Sequence, residues 1–116
     1  MAVNQDDVID RAKTIFREIN GIYHNGLLPD YNFVIVEEVP GAPAGAVAQT
    51  DGPSRTIRLR TRLWPRDEGG FSAWYIQAVL AHESIHARLF LDGNENWRSC
   101  ASQDFDIWRK RIPIAR

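Results

Sequence analysis

Residues 71–93 read FSAWYIQAVLAHESIHARLFLDG and form the most strongly patterned stretch of the chain. Ser72 can cap a helix at its start, and Asp92-Gly93 can stop one at its end. Phe71 can also pack onto Ile76, four residues inside the helix, as a hydrophobic staple. The sequence therefore predicts a helix over residues 71–91, around which the rest of the fold is organised.

The middle of this helix carries the pentad His82-Glu83-Ser84-Ile85-His86. At 3.6 residues per turn, His82 and His86 lie one turn apart on one face, so both imidazoles can reach one tetrahedral ion. Glu83 is turned about 100° from His82 and can bond a water at that ion without ligating it. This separation of roles predicts a zinc site in which His82 and His86 bind the metal and Glu83 acts as general base.

An alternative interpretation treats both histidines as ordinary residues of a buried helix face. Apolar side chains share their stripe, including Tyr75, Val79 and Leu89. However, two buried imidazoles without a metal or partners would leave polar nitrogens that cost on the order of 1–3 kcal/mol each. The metal interpretation is therefore preferred.

A catalytic zinc site needs a third protein ligand and one open position. The oxygen and sulfur donors downstream of the pentad are Asp92, Glu95, Cys100, Asp104 and Asp106. A last helix that returns antiparallel would bring residues near 101–104 level with the metal, and Asp104 would then share an apolar stripe with Trp97 and Trp108. We predict Asp104 as the third ligand. In another interpretation, Asp104 orients a zinc-bound imidazole or bonds an arginine.

The other candidates rank below Asp104. Glu95 comes next, followed by Asp92, whose expected role is to end the helix. We interpret Cys100 as a small core residue rather than a thiolate ligand.

Apolar periodicity and turn residues predict the remaining elements. In chain order these are a helix over residues 5–24, strands over 31–39, 46–50 and 55–60, a connecting loop over 61–70 and a last helix over 95–109. Together with the pentad helix they predict an α+β fold with a small three-stranded sheet.

Composition limits the other possibilities. A chain of 116 residues with 44% hydrophobic content can bury one modest core, so residues 1–116 are expected to form a single domain. The net charge of −1 gives no global signal for nucleic acid. One cysteine excludes an internal disulfide and a Cys-rich zinc module. An acidic N-terminus and the lack of a long apolar run predict a cytoplasmic protein without a membrane segment.

The segment Val79-Leu80-Ala81-His82-Glu83-Ser84-Ile85-His86-Ala87 resembles the active-site helix of SprT-like zinc metallopeptidases, relatives of the Spartan protease. The order of helix and strands upstream is similar too, and the resemblance covers about residues 8–97. It implies a zincin-like, minimal metallopeptidase fold and a zinc-dependent peptidase acting on a protein or peptide substrate. These peptidases usually take a third histidine from a His-Gly pair soon after the helix, and Asp92-Gly93 stands there instead. The ImmA/IrrE-type peptidases, whose third ligand is acidic, are therefore a rival resemblance.

A second functional class stays open: a non-catalytic binding module on a zincin-like scaffold, with DNA as a possible partner. Arg58, Arg60 and Arg62 alternate along one predicted strand and could contact phosphates. The simpler interpretation is a solvated face that protects an exposed sheet edge. Candidate donors to a developing oxyanion outside the pentad are Tyr23, His24 and Tyr31.

Overall fold

The computed structural model describes residues 5–39, 41–42, 45–67 and 70–115. Its helices and strands are α1 (Gln5–Tyr23), β1 (Asn32–Ile35), β2 (Ala48–Asp51), β3 (Thr56–Leu59), β4 (Arg66–Asp67), β5 (Gly70–Phe71), α2 (Ala73–Leu91) and α3 (Gln103–Arg111). A 3₁₀ turn, Thr61–Leu63, lies between β3 and β4. The described part of the chain is thus α+β, with three α-helices and a small mixed sheet, as the sequence predicts.

Helix α1 forms because its apolar residues recur every three or four positions. Its buried stripe consists of Val8, Ala12, Ile15, Phe16 and Ile19. The helix stops where Asn25 and Gly26 adopt positive φ angles of 54° and 71°. The Asn20 side chain then clamps the turn, donating to the carbonyl of Leu28 at 3.1 Å and accepting from its amide at 3.0 Å. The clamp directs the chain into the sheet, and α1 packs against α2 and β1.

The main sheet has the strand order β1-β3-β2. Strand β3 runs parallel to β1 and antiparallel to β2. Because β3 is central, the prediction that its arginines protect an exposed edge is wrong. The edge strand next to the pentad helix is β2, which packs against α2.

Gly52, in the hairpin between β2 and β3, lies directly over the ring of Phe90 on α2. A Cβ atom at this position would overlap the ring. The close approach seats the hairpin on α2, so the sheet edge and the pentad helix are held together at this point.

Helix α2 agrees with its prediction to within two residues. The Ser72 side chain accepts from the Tyr75 amide at 3.5 Å, and the helix ends at Leu91, followed by the C-cap Asp92 and by Gly93 at a φ of 75°. Eleven of its side chains are buried, among them Leu80, Ile85 and Leu89, which belong to the core. The helix therefore runs through the interior, and the pentad has a fixed position.

The predicted loop over residues 61–70 contains the 3₁₀ turn and the short strands β4 and β5, which pair with each other. Residues 68 and 69 lie outside the described residues. Trp64 is buried in this region and packs edge-on against Phe71 and Tyr75. This aromatic group covers the first turn of α2.

The last helix begins eight residues later than predicted, at Gln103 instead of residue 95. Side chains in the preceding segment bond the backbone locally: Asn94 accepts from the amide of Asn96 at 2.8 Å, and Ser99 accepts from that of Ala101 at 3.1 Å. Such bonds compete with helix formation. The chain between α2 and α3 consequently follows a series of turns across the pentad face of α2.

Candidate metal centre

Helix α2 brings the two pentad histidines together as the spacing predicts. The ring centroids of His82 and His86 lie 5.1 Å apart, and their Nε2 atoms are separated by 3.3 Å. Phe105, the buried residue of α3, packs against both rings at centroid distances of 4.7 Å and 4.9 Å. The two Nε2 atoms therefore converge on one point under an aromatic cover.

Cys100 supplies the third donor atom. Its Sγ lies 3.3 Å from Nε2 of His82 and 3.4 Å from Nε2 of His86. Within the described residues, His82, His86 and Cys100 form a group that could hold a metal ion, with all donor atoms within 4.8 Å of one another. Cys100 is exposed, so the interpretation of this residue as a small core residue is wrong.

The separations of these donor atoms can be compared with the demands of a tetrahedral zinc ion. With Zn–N near 2.0–2.1 Å and Zn–S near 2.3 Å, two nitrogens would be about 3.3 Å apart, and a nitrogen and a sulfur about 3.6 Å apart. The observed values are 3.3 Å between the nitrogens, and 3.3 Å and 3.4 Å from nitrogen to sulfur. Each observed separation lies within about 0.3 Å of the tetrahedral value, so the three residues could hold a metal ion of this geometry.

A backbone contact fixes the protonation of His86. Its Nδ1 lies 2.6 Å from the carbonyl oxygen of Trp97. Since a carbonyl can only accept, Nδ1 carries a proton and donates it, so whenever the ring is neutral its lone pair resides on Nε2. An outer hydrogen bond of this kind orients an imidazole for metal binding.

The electrostatics of the cluster favour the thiolate. Hydrogen bonds to His82 and His86 lower the pKa of Cys100 to about 6. Burial lowers the pKa of His86, but its bond to Cys100, the charge of Glu83 and the Trp97 carbonyl together outweigh burial, and the net shift is upward. Both shifts favour a thiolate beside a protonated imidazole, and a metal ion bound there would displace the imidazole's proton.

Glu83 lies beside the cluster and is held by the edge strand. Its side chain is 5% exposed, and its Oε1 accepts a 2.9 Å hydrogen bond from the hydroxyl of Thr50 on β2. The same hydroxyl lies 3.2 Å from the backbone carbonyl of Glu83. Since Thr50 is itself buried, the bond restricts the carboxylate to one orientation at the base of the site.

Two cavities open at the cluster. A cavity of about 280 Å³ extends toward Gln49, Thr50 and Arg98, and one of about 580 Å³ extends toward the first half of α2. Both are lined by His82, Glu83 and Cys100. A ligand in either cavity would therefore lie next to His82, Glu83 and Cys100.

Asp104, predicted as the third ligand, lies elsewhere. Its carboxylate is exposed and accepts a 2.6 Å hydrogen bond from the side chain of Asn94. The prediction assumed a helix continuous from residue 95, which would have placed Asp104 on the apolar stripe. Because α3 starts at Gln103, Phe105 takes the buried position instead.

The two lower-ranked acidic candidates also lie outside the cluster. Glu95 is exposed, and Asp92 pairs with Arg88 at 3.1 Å near the end of α2. The sequence did contain a signal for Cys100, because Asn94, Asn96, Ser99 and Ser102 are turn and cap formers. Their density between residues 94 and 102 opposes the helix that was predicted there.

His24, one candidate oxyanion donor, supports α2 from the side of α1. It is fully buried, and its Nε2 lies 3.0 Å from the hydroxyl oxygen of Ser84. The Ser84 hydroxyl donates to the carbonyl of Ala81 at 2.7 Å, so it accepts from His24. Burial, followed by the charge of Arg88, lowers the pKa of His24 to about 4. His24, like Tyr23 and Tyr31, lines neither cavity at the cluster.

The arginines of the predicted basic strand contact the protein itself. Arg58 lies 3.6 Å from a carboxylate oxygen of Asp51 and also donates to Gln49. Arg60 and Arg62 both donate to the backbone carbonyl of Glu37, at 2.8 Å and 3.2 Å. These contacts give the three side chains structural roles within the sheet region.

Comparisons with protein-family models, with curated proteins and with solved structures give no match for this chain. The SprT-like and ImmA/IrrE-type resemblances therefore stay predictions. None of the described helices has the combination of length and apolar character that crossing a lipid bilayer requires.

Proposed function

We propose that this chain is a zinc-dependent metallopeptidase in which His82, His86 and Cys100 hold the metal and Glu83 is the general base. The observation that carries the proposal is the convergence of three donor atoms at tetrahedral separations beside a buried carboxylate. The donor cluster and Glu83 border cavities that a substrate can enter. The substrate would be a protein or peptide.

Zinc is the ion that the donor set favours. Two imidazoles and one thiolate suit zinc, whereas magnesium and calcium prefer oxygen ligands. When bound, zinc lowers the pKa of water toward about 7 and polarises the carbonyl under attack. Three protein ligands with a fourth position open are typical of catalytic rather than structural zinc sites.

Glu83 would move the proton. Its carboxylate accepts a proton from the attacking water and then delivers it to the amine nitrogen that leaves. Thr50 donates to one carboxylate oxygen and so keeps the side chain in one orientation through both transfers. His86 would remain neutral, with its Nδ1 proton held by the Trp97 carbonyl.

The test is a comparison of metal content and proteolysis in single variants. Glu83→Gln preserves size and hydrogen bonding to Thr50, so it should keep one zinc per chain but lose cleavage of unfolded β-casein. His82→Ala and His86→Ala should lose both the zinc and the cleavage. Cleavage by the Glu83→Gln variant at the wild-type rate would exclude this mechanism.

A metal-free, fully folded wild-type protein would instead favour the non-catalytic binding module. Zinc content is therefore measured by elemental analysis on protein purified without added metal. If this module binds DNA, its affinity for DNA should decrease at high salt and when Arg58 is neutralised.

A further inference from the structure

Arg98 borders the smaller cavity at the metal centre. The same cavity is lined by the metal-centre residues His82, Glu83, His86 and Cys100. Among the described residues around it, Arg98 is the single Lys or Arg, and Glu83 is the single Asp or Glu. No Lys or Arg of the described chain lines the larger cavity. Because arginine stays charged at every working pH, an anionic ligand next to the metal centre finds a permanent side-chain cation in the smaller cavity.

Contacts on both sides of Arg98 in the chain fix its place at this cavity. The residue before it, Trp97, accepts a hydrogen bond from Nδ1 of His86 through its backbone carbonyl at 2.6 Å. Two residues after it, Cys100 belongs to the donor cluster. The backbone of Arg98 is therefore held next to the metal centre by the same contacts that build that centre.

The charge of Arg98 is not neutralised by a carboxylate of the described residues. Its side chain is exposed, and its guanidinium lies over the ring of Trp97, with Cζ 4.3 Å from the ring centroid. Arg58 and Arg88, by contrast, each pair with an aspartate. A cation–π contact limits the movement of a guanidinium but uses none of its five N–H donors as a bond to oxygen. These donors are therefore available to an oxygen ligand.

We infer that Arg98 binds a carboxylate of the substrate, close to the bond that is cleaved. This inference rests on the proposed peptidase function and specifies its substrate class. A guanidinium and a carboxylate can form two parallel N–H···O bonds. The cavity of about 280 Å³ is small for a ligand pocket, so the carboxylate belongs to a residue next to the reacting bond. The C-terminus of a peptide and the side chain of Asp or Glu both supply this chemistry.

Cleavage of two matched peptide pairs tests the selectivity. The first pair ends in a free carboxylate or in a carboxamide, and the second, amidated in both members, has a central Asp or Asn. In at least one pair, kcat/KM should be about tenfold higher for the carboxylate member, because hydrogen bonds to charged groups are stronger than neutral ones. The pair that responds identifies the source of the carboxylate. Equal cleavage within both pairs would overturn the inference and leave the peptidase function intact.

Two arginine variants assign the preference to its residue. Arg98→Gln should lower kcat/KM about tenfold for the carboxylate peptide, through a higher KM, and leave the neutral peptide unchanged. Arg66→Gln is the matched control, since Arg66 is also exposed and lies over an aromatic ring, that of Phe71, but borders neither cavity. An equal decrease for both peptides in Arg98→Gln would show that Arg98 acts on the reaction itself, against the inference.

Binding is measured separately from cleavage, by calorimetric titration of the Glu83→Gln protein with the four peptides. A carboxylate peptide should bind about tenfold more tightly than its neutral partner, and the difference should vanish when Arg98→Gln is added. Such binding without any cleavage by the wild type would refute the peptidase but keep the role of Arg98. A difference that persists in the double variant would assign the carboxylate to the metal ion and overturn the inference.

Discussion

Sγ of Cys100 lies 3.3 Å from Nε2 of His82, although the two residues are separated by 18 positions in the chain. The contact exists because the segment between α2 and α3 folds back in turns over the pentad. It converts a pair of histidines into a three-donor cluster with a fourth position open. The expected chemistry of the protein depends on this return of the chain.

Cys100→Ser should reduce zinc affinity strongly, because a hydroxyl stays protonated and is a much poorer zinc ligand than a thiolate. We expect the loss to exceed the roughly 10–100-fold cost of removing a residue that only supports a ligand. Competition with a chromogenic chelator measures the affinity. Asp104→Asn is the matched control and should keep wild-type affinity, since Asp104 bonds Asn94 at the surface. Greater zinc loss in Asp104→Asn than in Cys100→Ser would show that Asp104, and not Cys100, is the third ligand.

Thr50→Val should slow peptide cleavage without removing zinc. Valine keeps the branched shape that β2 accommodates but cannot donate to Glu83, and a hydrogen bond to a charged group contributes about 1.5–3 kcal/mol. The corresponding decrease in kcat is about 10–100-fold, with KM nearly unchanged. Thr56→Val provides the control, because that hydroxyl donates to the Ser54 carbonyl, in the hairpin. An unaltered kcat in Thr50→Val would mean that Glu83 needs no support from the strand.

His24 should make the fold sensitive to mild acid. Its pKa is about 4 in the folded protein, compared with 6.5 in an unfolded chain. Between these values the unfolded state binds more protons, so stability is fully present above pH 6.5 and is lost as the pH falls toward 4. The loss is on the order of 3 kcal/mol.

Urea unfolding of the wild type and of His24→Gln over this pH range isolates the effect. Glutamine can still donate to Ser84 but does not titrate. The free energy of unfolding of the His24→Gln variant should therefore decline less steeply as the pH falls. The metal ligands are common to both proteins, and their contribution cancels in the difference. Parallel pH profiles would show that His24 accepts its proton in the folded state.

Gly52→Ala should destabilise the fold, because the added methyl group would overlap the Phe90 ring. Forcing an extra carbon into a packed contact costs typically about 1–3 kcal/mol. Gly21→Ala is the opposite control: it lies within α1 with nothing near its Cβ position, so it should stabilise by about 0.5–1 kcal/mol. Thermal or urea denaturation of the two variants gives the sign of each stability change directly. A neutral Gly52→Ala would show that the hairpin is not seated on Phe90.

Much of the fold could be predicted from local patterns. The α1 stripe, the hairpin residues around Gly52 and the boundaries of α2 all lie where periodicity and turn chemistry place them. The order β1-β3-β2 could not be predicted in this way, because strand pairing depends on contacts between distant segments. That order makes β2 the edge strand beside Glu83 and buries β3 in the middle.

The sequence by itself determined the pairing of His82 with His86 and the place of Glu83 beside them, because the pitch of a helix converts a spacing of four residues into one shared face. Only the tertiary structure decided the third donor. Side chains of Asn94 and Ser99 bond the backbone in turns, so α3 starts late, Phe105 is buried and Asp104 faces solvent. Cys100 reaches the histidines because the non-helical segment that carries it crosses the pentad. The periodicity of apolar residues does not predict the course of such a segment.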